Sequence, residues 1–184
     1  RFGSEAAGVV EAVGRNVTHL AIGDKVSTIP SFMLGDVAIH AEAVAVPAQA
    51  VVKQPRNLSA VQAAALWVMY LTPYGALIED AKIQAGEPVL ISAASSSTAL
   101  GAIQLANLVG AVPIALTRTS AKRQRLLDAG ARHVVAYDEV DLVEEIMKIT
   151  DGKGARVAFD PVGGRLLPAL SQVLPWKGTI YSYG

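Results

Sequence analysis

Seven small residues in a row, Ala93-Ala94-Ser95-Ser96-Ser97-Thr98-Ala99, separate an apolar run from a segment of helical period. The chemistry open to them is anion binding. Short side chains let a phosphate approach the backbone, and a helix beginning there offers unpaired N–H groups and the positive end of its dipole. The glycine positions of the dinucleotide fingerprint are taken here by Ala93, by Ser96 or a neighbouring serine, and by Ala99. Alanine still permits close helix–strand packing, while serine adds a hydroxyl that either crowds the phosphate or donates a hydrogen bond to it. The same residues would equally serve as a plain βα turn, so their setting decides between the readings.

A second group follows at about the distance where a dinucleotide site chooses its cofactor, roughly 20 residues past the glycine cluster. An acid there binds a ribose 2′-hydroxyl, whereas arginine accommodates a 2′-phosphate. The stretch reads Thr117-Arg118-Thr119-Ser120-Ala121-Lys122 and contains no acid. Arg118 offers a planar fork of donors, Lys122 a point charge, and Thr117, Thr119 and Ser120 hydroxyls, which favours NADPH over NADH. The alternative is a solvated helix start with Ser120 as its cap, and that reading suits Arg123 and Arg125. A third group, Tyr70-Leu71-Thr72-Pro73, predicts a helix with Thr72 as cap and Pro73 at its first position.

The elements that must position these groups can be read from periodicity. Residues 6–52 carry short β-rich runs broken by Gly14, Gly23-Asp24 and Pro30, and no helical period. Ser59 and Gln62 then form a capping-box pattern, and a domain boundary is expected there, with 1–57 as one domain and 58–184 as the next. Strands are expected at 89–92, 112–117, 133–136, 155–160 and 179–183. Helices at 99–109, 121–129, 142–150 and 166–174 fill the gaps, the third capped by Asp141 with Glu144 behind it. Gly110, Gly130 and Gly152 fall where helices stop. Strands alternating with helices predict an α/β fold, a doubly wound parallel sheet of Rossmann type preceded by a β domain.

The 184 residues carry 16 Lys plus Arg against 16 Asp plus Glu, and 52% are hydrophobic. A neutral balance gives no pull toward nucleic acid or an anionic membrane, which points to a small-molecule partner. No apolar run reaches the roughly 20 residues a membrane span requires. There is no cysteine, which excludes disulfides and thiolate zinc sites within this sequence and suits a reducing, cytoplasmic setting. The abrupt start in strand-like alternation suggests a piece of a longer chain.

Taken in order and spacing, the segments GSEAAGVVEAVG (3–14), GDKV (23–26), AEAVAVPA (41–48), LSAVQAAAL (58–66), YLTPYGAL (70–77), AASSSTALGAIQLA (93–106), GARHVVAYDE (130–139), TDGKGARVAFDPVGG (150–164) and GTIYSYG (178–184) resemble the zinc-independent medium-chain dehydrogenase/reductases, close to NADPH:quinone oxidoreductases. The resemblance implies part of a GroES-like β domain beside a Rossmann domain, with nicotinamide in the cleft between them. It also implies a chain truncated at both ends and a homodimer. By position, Thr72 matches a nicotinamide contact, while Ser96, Ser97, Thr98 and Ala99 match the pyrophosphate loop. Arg118, Lys122 and Tyr137, with Thr117 beside them, match the 2′-phosphate pocket. The 160–164 loop, including Val162 and Gly163, and Tyr183-Gly184 match the nicotinamide side. Zinc members carry G-H-E where this chain reads Gly3-Ser4-Glu5, so Ser4 replaces a ligand histidine and no metal is expected.

The reaction so implied is metal-free reduction of a quinone or an α,β-unsaturated carbonyl by NADPH, with no general acid identified in this stretch. An enoyl-thioester reductase of the same fold is the nearest rival. A non-catalytic NADPH-binding regulatory protein is the other.

Overall fold

In the computed structural model, residues 3, 5–31, 37 and 39–184 are described. They form two compact units, Arg1–Val68 and Met69–Gly184. This division lies beyond the expected boundary at 57/58, because helix α1 (Ala60–Ala64) packs on the strands that precede it.

Strands β1 (Ala7–Val9), β2 (Lys25–Thr28) and β3 (Val51–Lys53) make an antiparallel sheet in the first unit, with Gly8 opposite Val26 and Ser27 opposite Val52. Residues 41–45, Ala-Glu-Ala-Val-Ala within the expected β-rich region, build no strand; they are exposed, and such a run becomes a strand only where a neighbouring ladder takes up the backbone groups. Helix α1 opens with the expected capping box: Gln62 N donates to Ser59 Oγ at 3.3 Å, and Ser59 N to Gln62 Oε1 at 2.9 Å.

Helix α2 (Trp67–Pro73) corrects the expected cap at Thr72. The helix is already running five residues earlier, with the Val68 N–H donating to Glu5 Oε1 at 2.8 Å, so Glu5 is a structural carboxylate at a helix start. Thr72 and Pro73 lie in its last turn. Proline is accommodated because the chain widens into a π-type segment over Tyr74–Asp80, where Ala81 N donates to Ala76 O at 2.9 Å.

The second unit is built on five parallel strands: β4 (Pro88–Ile91), β5 (Val112–Thr117), β6 (His133–Ala136), β7 (Val157–Asp160) and β8 (Thr179–Ser182), in the spatial order β6-β5-β4-β7-β8. Helices α3 (Ser97–Leu108), α4 (Arg123–Asp128), α5 (Leu142–Ile149) and α6 (Leu167–Val173) cover both faces. Alternate strand residues sort to the two sides. Val89, Ile91, Ala115 and Phe159 pack with Ala102, Ile103 and Leu126, while Leu90, Ile114, Leu116 and Ala158 pack with Leu142, Ile146 and Leu170. This is the expected doubly wound sheet.

One glycine fixes how α2 meets α3. A Cβ on Gly101 would stand 2.4 Å from the Met69 carbonyl oxygen, the acceptor that Pro73, lacking an N–H, leaves without its usual donor four residues on. Among the described residues no helix is long and apolar enough to cross a membrane.

Candidate functional site

From β4 the chain winds outward through β5 and β6, then crosses back to β7 and proceeds to β8 on the other side. Between β4 and β7 the connections part in opposite directions and leave a crevice beyond the carboxyl ends of the strands. Five loops reach that edge, at residues 92–97, 117–122, 137–139, 160–164 and 183–184.

The first loop leaves β4 and enters α3. Ser96 caps the helix, its Oγ accepting from Ala99 N at 3.3 Å, so the helix starts at Ser97 rather than at the expected Ala99. Leu100 N bonds Ser96 O at 3.0 Å. The N–H groups of Ser97 and Thr98 are then the first-turn donors without a partner in the helix. Ala99 is buried, while Ser97 is exposed. Ala93 holds φ at +45°, a left-handed conformation that glycine takes without strain.

Lys122 comes to this loop from 27 residues away, its Nζ 3.0 Å from Ser95 Oγ. Arg118 is exposed at the end of β5, and its carbonyl accepts from Asp138 N at 2.9 Å. Tyr137 lies half-buried beside it, with the Arg165 guanidinium 5.8 Å from the ring centroid. Burial raises the Tyr137 phenol above its ordinary range, with the Asp138 charge adding and the Arg165 and Arg118 charges opposing. The structure thus brings Ser95–Ala99, Thr117, Arg118, Lys122 and Tyr137 to one stretch of edge.

Two acids there are invisible to a reading of the β5 end alone. Glu139 Oε1 accepts from Ser120 N at 2.8 Å and Ser120 Oγ at 3.2 Å, and these bonds hold the Glu139 carboxyl below its usual range. Ser120 is therefore not the cap of α4. Its hydroxyl donates to a carboxylate, and a 3-10 turn over Ser120–Lys122 precedes the helix. Asp138 pairs with Arg165 at 2.9 Å. The signal was the sequence Tyr137-Asp138-Glu139 at the end of the strand parallel to β5.

On the other side of the crevice Asp160 is fully buried. It accepts from the Ser92 hydroxyl, from Val162 N at 3.2 Å and from Gly163 N at 2.8 Å. Gly163 takes φ +60°, and Val162 is exposed above the turn. Tyr183 stacks on Phe159 with centroids 4.0 Å apart. Its hydroxyl is enclosed with no hydrogen bond of ordinary geometry, although the Ser96 hydroxyl lies close enough to favour ionisation. Burial and the Asp160 charge outweigh that, and the phenol is pushed up to about 12. Gly184 is exposed at the end of this strand, with φ +147°. Thr72 sits half-buried on α2, whose Met69 meets α3 at Gly101.

Phosphate groups suit this edge: open N–H donors at a 12-residue helix, small side chains above them, and Lys122 and Arg118 alongside. A hollow of about 480 Å³ between α5 and α6, lined by Asp141, Glu144 and Gln172, holds none of these groups. Among the described residues no three His, Cys, Asp or Glu side chains gather as a metal-binding group, and Ser4 lies outside the described residues.

A family model described as "Zinc-binding dehydrogenase" matches residues 98–184, and one described as "Alcohol dehydrogenase GroES-like domain" matches residues 1–56. The quinone oxidoreductase of Salmonella typhimurium is 36% identical over 183 residues, which cover 100% of this chain and 55% of that protein. The crystal structure of Escherichia coli quinone oxidoreductase complexed with NADPH superposes with a TM-score of 0.84 at 34% identity, over 99% of this chain and 55% of the other. The CurK enoyl reductase superposes with a TM-score of 0.84 at 33% identity, over 97% and 52%. The chain spans about half the length of these relatives.

Proposed function

The chain belongs to the medium-chain dehydrogenase/reductases of the quinone oxidoreductase type, and from that premise we propose that the whole protein is an NADPH-dependent reductase of quinones or α,β-unsaturated carbonyls that works without zinc. Bound NADPH supplies the hydride, and the protein's part is to hold, orient and shield. The observation that carries this reading is the convergence on one sheet edge of the open Ser97 and Thr98 N–H groups, the Lys122 ammonium at Ser95, and Arg118 beside Tyr137. In it the pyrophosphate lies on the α3 start, the 2′-phosphate lies toward Arg118 and Lys122, and the nicotinamide lies beside the 160–164 loop.

Replacing Arg118 by Asp tests the assignment. The dissociation constant for NADPH is expected to rise at least about tenfold, with that for NADH changing far less. Equal losses for both coenzymes, or none, refute the 2′-phosphate role. The likeness to CurK supports a second reading, an enoyl-thioester reductase sharing the same cofactor groups. Steady-state oxidation of NADPH with quinones, simple enones and enoyl-thioesters in parallel separates the two. Binding of NADPH with no turnover by any acceptor would favour a regulatory protein instead.

A further inference from the structure

Asp160 ends β7 with no solvent exposure, and no Lys, Arg or His among the described residues forms an ion pair with it. All its partners are donors: the Ser92 hydroxyl and the Val162 and Gly163 N–H groups. A set made only of donors suits the ionised carboxylate, which can only accept. A buried negative charge without a counter-charge is costly, and hydrogen bonds offset only part of that cost. The elsewhere-exposed acids of this edge are paired: Asp138 with Arg165, and Glu139 with Ser120. Asp160 alone keeps an unbalanced charge in a place water does not reach, at the switch point between β4 and β7.

A nicotinamide ring is neutral when reduced and positively charged when oxidised. We infer that Asp160 supplies the field that distinguishes the two forms, its buried carboxylate favouring the oxidised ring beside the 160–164 loop over the reduced one. The three donors fix the carboxylate in place, and the low local dielectric lets its charge act over the distance to the ring. Bound NADPH is thereby made the stronger reductant. The Asp160 charge already acts on one neighbour at this edge, helping to keep the Tyr183 phenol protonated.

The inference rests on the cofactor placement proposed above, and its test is arranged so that the two fail separately. Dissociation constants for NADPH and NADP+ are measured by calorimetry on the full chain and on Asp160→Asn, which keeps the shape and removes the charge. NADP+ binding is expected to weaken on the order of fivefold, with NADPH changing less than about twofold. Equal weakening of both forms would mark Asp160 as a purely structural residue and overturn the inference. If the unaltered protein binds neither form, the placement itself is wrong. Should Asp160→Asn fail to fold, Ser92→Ala decides, because it keeps the charge and removes one of its donors. Preference for NADP+ is then expected to grow, and a preference unmoved or reversed overturns the inference.

Discussion

The two halves of the sheet's carboxyl edge are built on opposite plans. Around β5 and β6 the polar groups are long and exposed: Arg118, Lys122, Asp138, Glu139 and Arg165, with Asp138 paired to Arg165, Glu139 bonded to Ser120 and Lys122 to Ser95. Around β4 and β7 they are short, buried and bonded to backbone: Ser92, Asp160 and the N–H groups of Val162 and Gly163. Exposed charges tolerate substitution and are screened by salt, so they suit a choice between coenzymes that differ by one phosphate. Buried bonds fix geometry to fractions of an ångström and suit the placement of a reacting ring.

Truncating one carboxylate from each half should expose the contrast most strongly. Asp160→Ala strands a hydroxyl and two backbone N–H groups in a dry site, and a loss of about 3 kcal/mol or more is expected in denaturant unfolding. Glu139→Ala should leave the unfolding midpoint in place and free Ser120. The comparison breaks if both variants unfold at the same denaturant concentration.

How much of this was legible in the sequence follows the same division. The parallel sheet could be read because its strands are apolar runs separated by helices with clear caps, such as Asp141, whose Oδ1 accepts from Glu144 N at 2.9 Å. Arg118 and Lys122 were legible because each lies just after a strand whose end was marked. Glu139 was missed because its partner, Ser120, is 19 residues away and meets it only through parallel pairing of β5 with β6. Asp160 stood inside a quoted motif, but its burial depends on β7 lying beside β4, a crossover that local pattern does not encode. The Thr72 cap failed for a related reason. Proline marks a helix start by local preference, and here Glu5, 63 residues from Val68, starts the helix earlier.

A smaller effect appears in alkaline titration. The Tyr183 phenol ionises near 12, against 10.0 for a free side chain, so the stability it contributes is fully present below pH 10 and is lost as the pH rises toward 12. Tyr181 behaves alike, raised to about 12 first by burial and then by its hydrogen bond to Asp80. Ultraviolet difference spectra should therefore show late-ionising tyrosines coincident with alkaline unfolding. Arg118→Asp should raise Tyr137 further, because it removes one of the two cations that oppose the shift, and should leave Tyr183 unmoved. Asp160 already acts across the halves on Tyr137, so a response of Tyr183 to that substitution would mean that Arg118 acts across them in the other direction.

The smallest effect sits where the halves meet, at Ala93. Its φ of +45° costs an L-residue roughly 1 kcal/mol, and glycine would relieve that strain while adding conformational entropy to the unfolded chain. The two terms nearly cancel, so Ala93→Gly is expected to change stability by less than about 0.5 kcal/mol. Cofactor affinity is the more telling readout. Ala93 accepts from Ser96 N at 2.8 Å and so sets the turn that presents the Ser97 and Thr98 N–H groups. If that turn is held by the Ser96 cap and by Lys122 at Ser95, NADPH and NADH should both bind to Ala93→Gly as before. A loss shared equally by the two coenzymes would instead show that the alanine methyl keeps the pyrophosphate loop in its binding shape, which would make this loop rigid by side-chain sterics rather than by hydrogen bonds.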